Sequence, residues 1–393
     1  MLLQILITIG ASQALTLASL IWLKKQRTQP DYLLSLQLLL MFCTIISFNY
    51  HDQLEEHAPT WTFAAFHFGY LVLPSFYLYI RSAAIGRIDF SKWHNWLHFL
   101  PFIGVMLLFT FNFFFLNIED KRAITQLIMN DQAPLWYTIT YYGVFFGVFP
   151  FYLYQSMRIL RKHERYILTK FSYREEVSLA WLKRFLWCEG LVWIAFLLFE
   201  VFAHQFFRLF GSDSGFQIAF IILIANIIYL GIYGLRFHGV FIDRKEVVIP
   251  TVEEEKEEES IKYQSSTLSE ENAQVYQKNI LAYMERERPY LEPKVTIGEL
   301  ATRLQIPVNH LSQVINDQFK QNFFDFVNGY RINAFQKLVQ ERDLQQFTLL
   351  ALAYEAGFNS KSSFNAIFKK NVGMTPSEYV KSLNKLPKAK HAV

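Results

Sequence analysis

Residues 349–379 read LLALAYEAGFNSKSSFNAIFKKNVGMTPSEY, a spacing that predicts two short helices around a tight turn and then a capped third helix. Leu349, Leu350 and Ala353 give the first helix an apolar side, and Gly357 falls where a turn needs a residue tolerant of positive φ. In the second helix Phe364, Ile367 and Phe368 lie at i, i+3 and i+4 and should point inward. Lys361, Asn365 and Lys369 then share the opposite face, with Ser362 beside them. Thr375, Pro376 and Glu378 form a capping box with proline at the first helical position. An aromatic-backed helix with a polar, basic front, set across a turn from a supporting helix, is the helix-turn-helix design.

The pattern occurs once more upstream. Thr296-Ile297-Gly298-Glu299 is a second capping box, opening a helix with Leu300, Ala301 and Leu304 apolar. A turn at Gln305-Ile306-Pro307 follows, and then Leu311, Val314 and Ile315 repeat the spacing of Phe364, Ile367 and Phe368. Between the two copies Phe323 to Glu341 reads as one long helix, with Phe324, Val327, Ala334 and Leu338 on one side. At 1.5 Å per residue it spans about 28 Å, close to the roughly 34 Å between successive major-groove faces of DNA. Two reading heads on a spacer of that length can engage adjacent turns of one duplex.

Ala356-Gly357-Phe358, Phe364, Phe368-Lys369-Lys370, Gly373 and Thr375-Pro376-Ser377-Glu378-Tyr379 stand at a spacing that resembles the AraC/XylS family of bacterial transcription regulators, from about residue 270 to 385. The resemblance implies sequence-specific binding to double-stranded promoter DNA, with base contacts from the first turns of both recognition helices. By position these are Asn309, Ser312 and Gln313 in the first unit and Lys361, Ser362 and Asn365 in the second. Gln313 and Ala366 stand where many members have arginine, and Gln305 replaces the usual turn glycine. Lys320, Lys369 and Lys370 are the expected phosphate contacts. Charge divides the units: seven lysines against Glu378 alone from Asn359 onward, but Arg303 and Lys320 against Glu299, Asp317 and Asp325 in the first. The second unit is therefore expected to anchor and the first to discriminate.

Of the 393 residues 52% are hydrophobic and 17% aromatic, an excess that lies almost entirely before residue 240 and is foreign to a water-soluble regulator. Seven apolar stretches approach or reach bilayer length: Leu3–Leu23, Tyr32–Phe48, Phe63–Ile80, Trp93–Phe115, Trp136–Tyr154, Phe185–Phe202 and Phe216–Tyr233. Lysines and arginines follow the first, third, fifth and seventh stretches, seventeen in all, against Lys121, Arg122 and Arg208 in the alternate loops. Because positive charge accumulates on the cytoplasmic side, this predicts seven spans in a bacterial inner membrane with the N-terminus outside and the C-terminus in the cytoplasm. The first stretch is expected to be retained, since its positive charges follow the apolar run instead of preceding it.

The expected fold is thus all-α: a seven-helix transmembrane bundle, then two helix-turn-helix units joined by a long helix. Residues 1–240 form the sensor or anchor, 241–268 an acidic linker, 269–385 the DNA-binding domain and 386–393 a basic tail. In the linker Glu253, Glu254, Glu255, Glu257, Glu258 and Glu259 favour a solvated coil averaging about 27 Å end to end, with a short signalling helix as the rival. Thr267 and Glu270 then cap a helix over Glu271 to Arg288, which either packs on the first unit, the favoured reading, or pairs two chains.

His67, Glu189, Glu200 and Asn226 are the polar side chains inside the spans where a ligand or proton would be sensed. The plainer reading leaves the glutamates in interfacial water and Asn226 bonded to a neighbouring helix. Pro74, Pro101 and Pro150 fall in three of the spans. Cys43 and Cys188 lie in apolar runs without disulfide or zinc spacing, so neither metal nor cofactor is expected. No HExxH, GxSxG, Walker or kinase set is present, which argues against an enzyme. The alternative to a membrane-embedded regulator is a transporter or membrane enzyme with an accessory DNA-binding tail.

Overall fold

The computed structural model describes residues 2–129, 132–206, 213–236 and 268–385. The expected linker, apart from Leu268, and the basic tail fall outside the described residues, as does Thr267. The described chain is all-helical, with several apolar helices in its first half. It divides into two compact units, one from Met1–Arg161 and Leu179–Ile249, the other from Lys162–Ser178 and Pro250–Val393.

The first unit opens with α1 (Leu2–Trp22) and α2 (Gln29–Asn49), then the short α3 (His51–His57), α4 (Pro59–His67) and α5 (Gly69–Ile85). An irregular run follows: a 3-10 segment at Trp93–Phe99, α6 (Leu100–Val105), a π segment at Met106–Phe111 and α7 (Asn112–Phe114). Then come α8 (Ile118–Met129), α9 (Leu135–Lys170), α10 (Ala180–Phe206) and α11 (Asp213–Arg236). Among the described residues Gln4–Trp22, Gln29–Asn49 and Trp93–Phe111 are long and apolar enough to cross a membrane, and Ile221–Arg236 is apolar but shorter.

Two stretches are less regular than their hydropathy suggests. The third is interrupted by a turn at Phe68, between α4 and α5. In the fourth, Pro101 lacks the N–H that would continue the preceding turn and sits in the first turn of α6, where none is needed. Pro74 and Pro150 lie inside α5 and α9.

Glycine sets the tightest packing of this unit. Gly10 of α1 meets Ile224, while Gly231 and Gly234 of α11 meet Leu17 and Leu34, each so closely that a Cβ would overlap the side chain opposite. Lys24 ties the same three helices, its ammonium 2.6 Å from Asp31 and 2.8 Å from the Gly234 carbonyl near the end of α11. Outward, α1 leaves Ile5, Leu6, Ile9 and Leu20 exposed.

In the second unit come α12 (Glu270–Glu287), α13 (Ile297–Leu304), α14 (Val308–Phe319), α15 (Phe323–Glu341), α16 (Leu349–Glu355), α17 (Lys361–Val372) and α18 (Pro376–Lys385). Its long helix has the predicted bounds. For α12 the cap is Ser269, whose hydroxyl accepts from the Asn272 N–H. Ala273, Ile280 and Met284 bury its inner stripe with Leu300, Leu311 and Val314, so α12 packs on the first helix-turn-helix unit. Phe324, Phe335, Leu352, Phe358, Phe364 and Phe368 form a second core, around α16 and α17. Because Phe323 and Phe326 join the first core and Phe324 and Phe335 the second, α15 welds the two units.

Hydropathy gave no sign that Lys162–Ser178 would belong here. Ser172 is its anchor, buried against Val295 and α15.

Candidate nucleic-acid interface

Each recognition helix is placed by the caps of its unit and by its own buried back. In the first unit Thr296 and Glu299 close the predicted capping box: the Glu299 carboxylate accepts from the Thr296 N–H at 2.8 Å, and the Thr296 hydroxyl from the Glu299 N–H at 3.3 Å. α13 ends at Gln305 with φ 55°, and the Ile306 N–H returns to the Ala301 carbonyl at 3.0 Å. Leu311, Val314 and Ile315 are buried, which leaves Asn309 and Gln313, one turn apart, exposed, with Ser312 half-buried beside them. Lys320 ends α14 at φ 53°, its side chain outside.

The left-handed conformation costs a residue with a Cβ about 1–2 kcal/mol. Gln305→Gly should therefore raise the stability of this unit by about 0.5–1 kcal/mol once glycine's greater unfolded freedom is subtracted, read as a higher midpoint in urea.

The second unit turns at Gly357, φ 93°. There a Cβ would overlap the Tyr290 carbonyl oxygen and come within 2.8 Å of Leu291 Cα, so only glycine fits. Ser360 caps α17, its Oγ accepting from the Ser363 N–H at 3.1 Å, and Gly373 ends it at φ 83°. Phe364 and Phe368 pack against Phe335, tilted and edge-on, with ring centroids 4.6 and 5.4 Å apart. With that back buried, Lys361, Ser362, Asn365 and Lys369 are exposed along the front. Lys370 is exposed too, but its ammonium lies 2.8 Å from Asp325 at the start of α15. Thr375 and Glu378 close the second capping box as predicted.

Sequence reading passed over the residue that holds the spacer in place. Arg331 of α15 is 1% exposed. Its Nε donates to the Tyr290 carbonyl at 2.8 Å, Nη1 to the Ser172 carbonyl at 2.9 Å and Nη2 to the Glu292 carbonyl at 2.7 Å. Burial pulls its pKa down to about 10, against the raising influence of Glu175, so it is charged at neutral pH. The signal was present: Val327, Arg331 and Phe335 are spaced by four, which puts a guanidinium on the core stripe.

The polar groups of the first unit are not gathered into one site. His67 is buried at the end of α4, its Nδ1 2.9 Å from the Phe63 carbonyl and 3.3 Å from Thr110 Oγ1. Asn226 of α11 donates to the Glu189 carboxylate of α10, the interhelical bond of the plainer reading. Both nevertheless line a cavity of about 70 Å³ together with Gln37 and Ser156. Glu200 lies in α10, with its side chain outside the described residues.

Residues 300–382 match a family model described as a helix-turn-helix domain. That stretch is a helix-turn-helix domain. Two curated relatives are each named Melibiose operon regulatory protein, one from Escherichia coli strain K12 and one from strain O6:H1. Each is 26% identical over 110 residues, which covers 28% of this chain and 34% of the relative. The chain thus spans about a third of the length of the curated relatives it matches. No solved structure matches the chain. The matched stretch includes both α14 and α17.

Proposed function

We propose that the protein is a membrane-embedded one-component transcription regulator. It binds specific promoter DNA through both halves of the helix-turn-helix domain and is gated by a signal received in the apolar helices. The observation that carries this reading is the duplication. Two recognition helices with buried backs present short polar fronts, and α15 shares its side chains between both cores. In this reading the apolar unit sits in the inner membrane with the helix-turn-helix domain in the cytoplasm, as the seventeen-to-three loop charge favours. Apolar side chains left exposed along α1 support a lipid-facing surface. The cavity at Glu189 and Asn226 is the proposed receiving site for a small ligand or membrane partner.

Capture of chromosomal fragments by the intact protein should return a discrete set of promoters. Within that set Lys369→Ala should weaken binding to every sequence and flatten the salt slope by about one unit. Gln313→Ala should instead relax preference at a single base pair, by about 1–3 kcal/mol if its contact is bidentate. An unchanged binding-site pattern for Gln313→Ala would show that another face of α14 reads the bases.

A further inference from the structure

The end of α9 and the chain that joins it to α10, Lys162–Ser178, are the only described part from before residue 268 that belongs to the compact unit containing the helix-turn-helix domain. It does not merely lie on that unit. Phe171 forms an antiparallel bridge with Thr296, the cap of α13. Ser172 donates through its hydroxyl to the Val295 carbonyl at 2.7 Å and accepts at its own carbonyl from Arg331 at 2.9 Å and Asn328 at 3.2 Å. Beyond it the Arg174 guanidinium sits 5.1 Å over the Phe324 ring, and Glu176 pairs with Lys294 at 2.6 Å.

These contacts carry Glu175 to the amino end of α17. Its carboxylate accepts from Ser360 Oγ at 2.5 Å while the same Oγ caps the helix. Partial desolvation works against the charge, but the hydrogen bonds from Ser360, from main-chain N–H groups and from Ser363 outweigh it, so the carboxyl is held below the usual range. The amino end of a helix is where an anion is most favoured, and phosphates are commonly held there. In this structure that place is taken by the chain's own carboxylate, next to Lys361 and Ser362.

We propose that the Phe171–Ser178 segment is a built-in competitor of DNA: docked, its Glu175 occupies the amino end of α17 and repels the phosphate backbone, and undocking frees the second recognition helix. Since the segment joins α9 to α10, a rearrangement of those two helices is what would withdraw it. The proposal rests on reading α17 as a DNA-binding helix and supplies the regulation of that site.

The test uses the full-length protein in lipid nanodiscs, titrated at low salt with a fluorescent mixed-sequence DNA duplex. Glu175→Gln, which keeps the shape and removes the charge, should bind about tenfold tighter than wild type. Lys369→Ala should bind more weakly and serves as the control on the DNA-binding reading. Hydrogen exchange supplies the second readout: duplex added to wild type should speed exchange in residues 172–177. If Lys369→Ala weakens binding while Glu175→Gln does not tighten it, the competitor is overturned and the DNA-binding reading stands. Tighter binding by Glu175→Gln with unchanged exchange in wild type also overturns it, because charge alone is then responsible. If neither wild type nor Glu175→Gln binds any duplex, the DNA-binding reading fails and the competitor with it.

Discussion

Arg331→Met should destabilise the helix-turn-helix domain by about 3–5 kcal/mol, the range for removing one partner from a buried charged network. Methionine fills much of the volume but donates nothing. The buried Ser172 carbonyl and the part-buried carbonyls of Tyr290 and Glu292 would then lose the hydrogen bonds that Arg331 supplies. Three connections lose their fastening at once: the approach to α13, the segment after α9, and α15. Arg331→Lys should cost less yet still be clearly destabilising, since an ammonium keeps the charge but cannot reproduce the planar fork that reaches all three carbonyls. Urea unfolding followed by circular dichroism measures both. A loss under about 1 kcal/mol for Arg331→Met would mean that water replaces the guanidinium without penalty.

Gly357→Ala should cost about 2–4 kcal/mol, because two penalties fall on one methyl group. A residue with a Cβ is strained at φ 93°, and here the added carbon also runs into the main chain at Tyr290 and Leu291. Backbone on the far side cannot step aside as a flexible side chain would. Gly373 provides the comparison, with φ 83° but nothing within 4 Å of its missing Cβ. Gly373→Ala should therefore show the conformational cost alone, roughly 1 kcal/mol. If the two alanines cost the same in thermal or urea unfolding, the contact at Tyr290 is not what selects glycine.

Much of the second unit was legible because its signals are local. Capping boxes at Thr296 and Thr375, aromatic residues at i, i+3 and i+4, and the glycine of the turn each act within a few residues. So α15 starts at Phe323 and ends at Glu341 as its periodicity predicts, and the exposed fronts of α14 and α17 follow from their buried backs. The first unit was legible only as apolar stretches. Hydropathy has no period fine enough to reveal the turn at Phe68 or the π segment at Met106–Phe111. Least visible were contacts between distant residues. Nothing near Ser172 or Glu175 marks either as a partner of Arg331 or Ser360, because hydrogen bonds across 159 and 185 positions leave no local pattern.

The insertion of residues 162–178 among the helices after residue 268 also bears on how the protein is made. The ribosome delivers this strip early, before α10 and α11 have been synthesised, and its seat appears only when α13 and α15 emerge. A gene product starting at residue 268 would carry every side chain proposed to face DNA yet lack Ser172, and Arg331 would be short of an acceptor. Such a fragment should fold less firmly than the same helices do in the whole polypeptide. Severing the two halves for biochemical convenience would remove a piece of the second half along with the first.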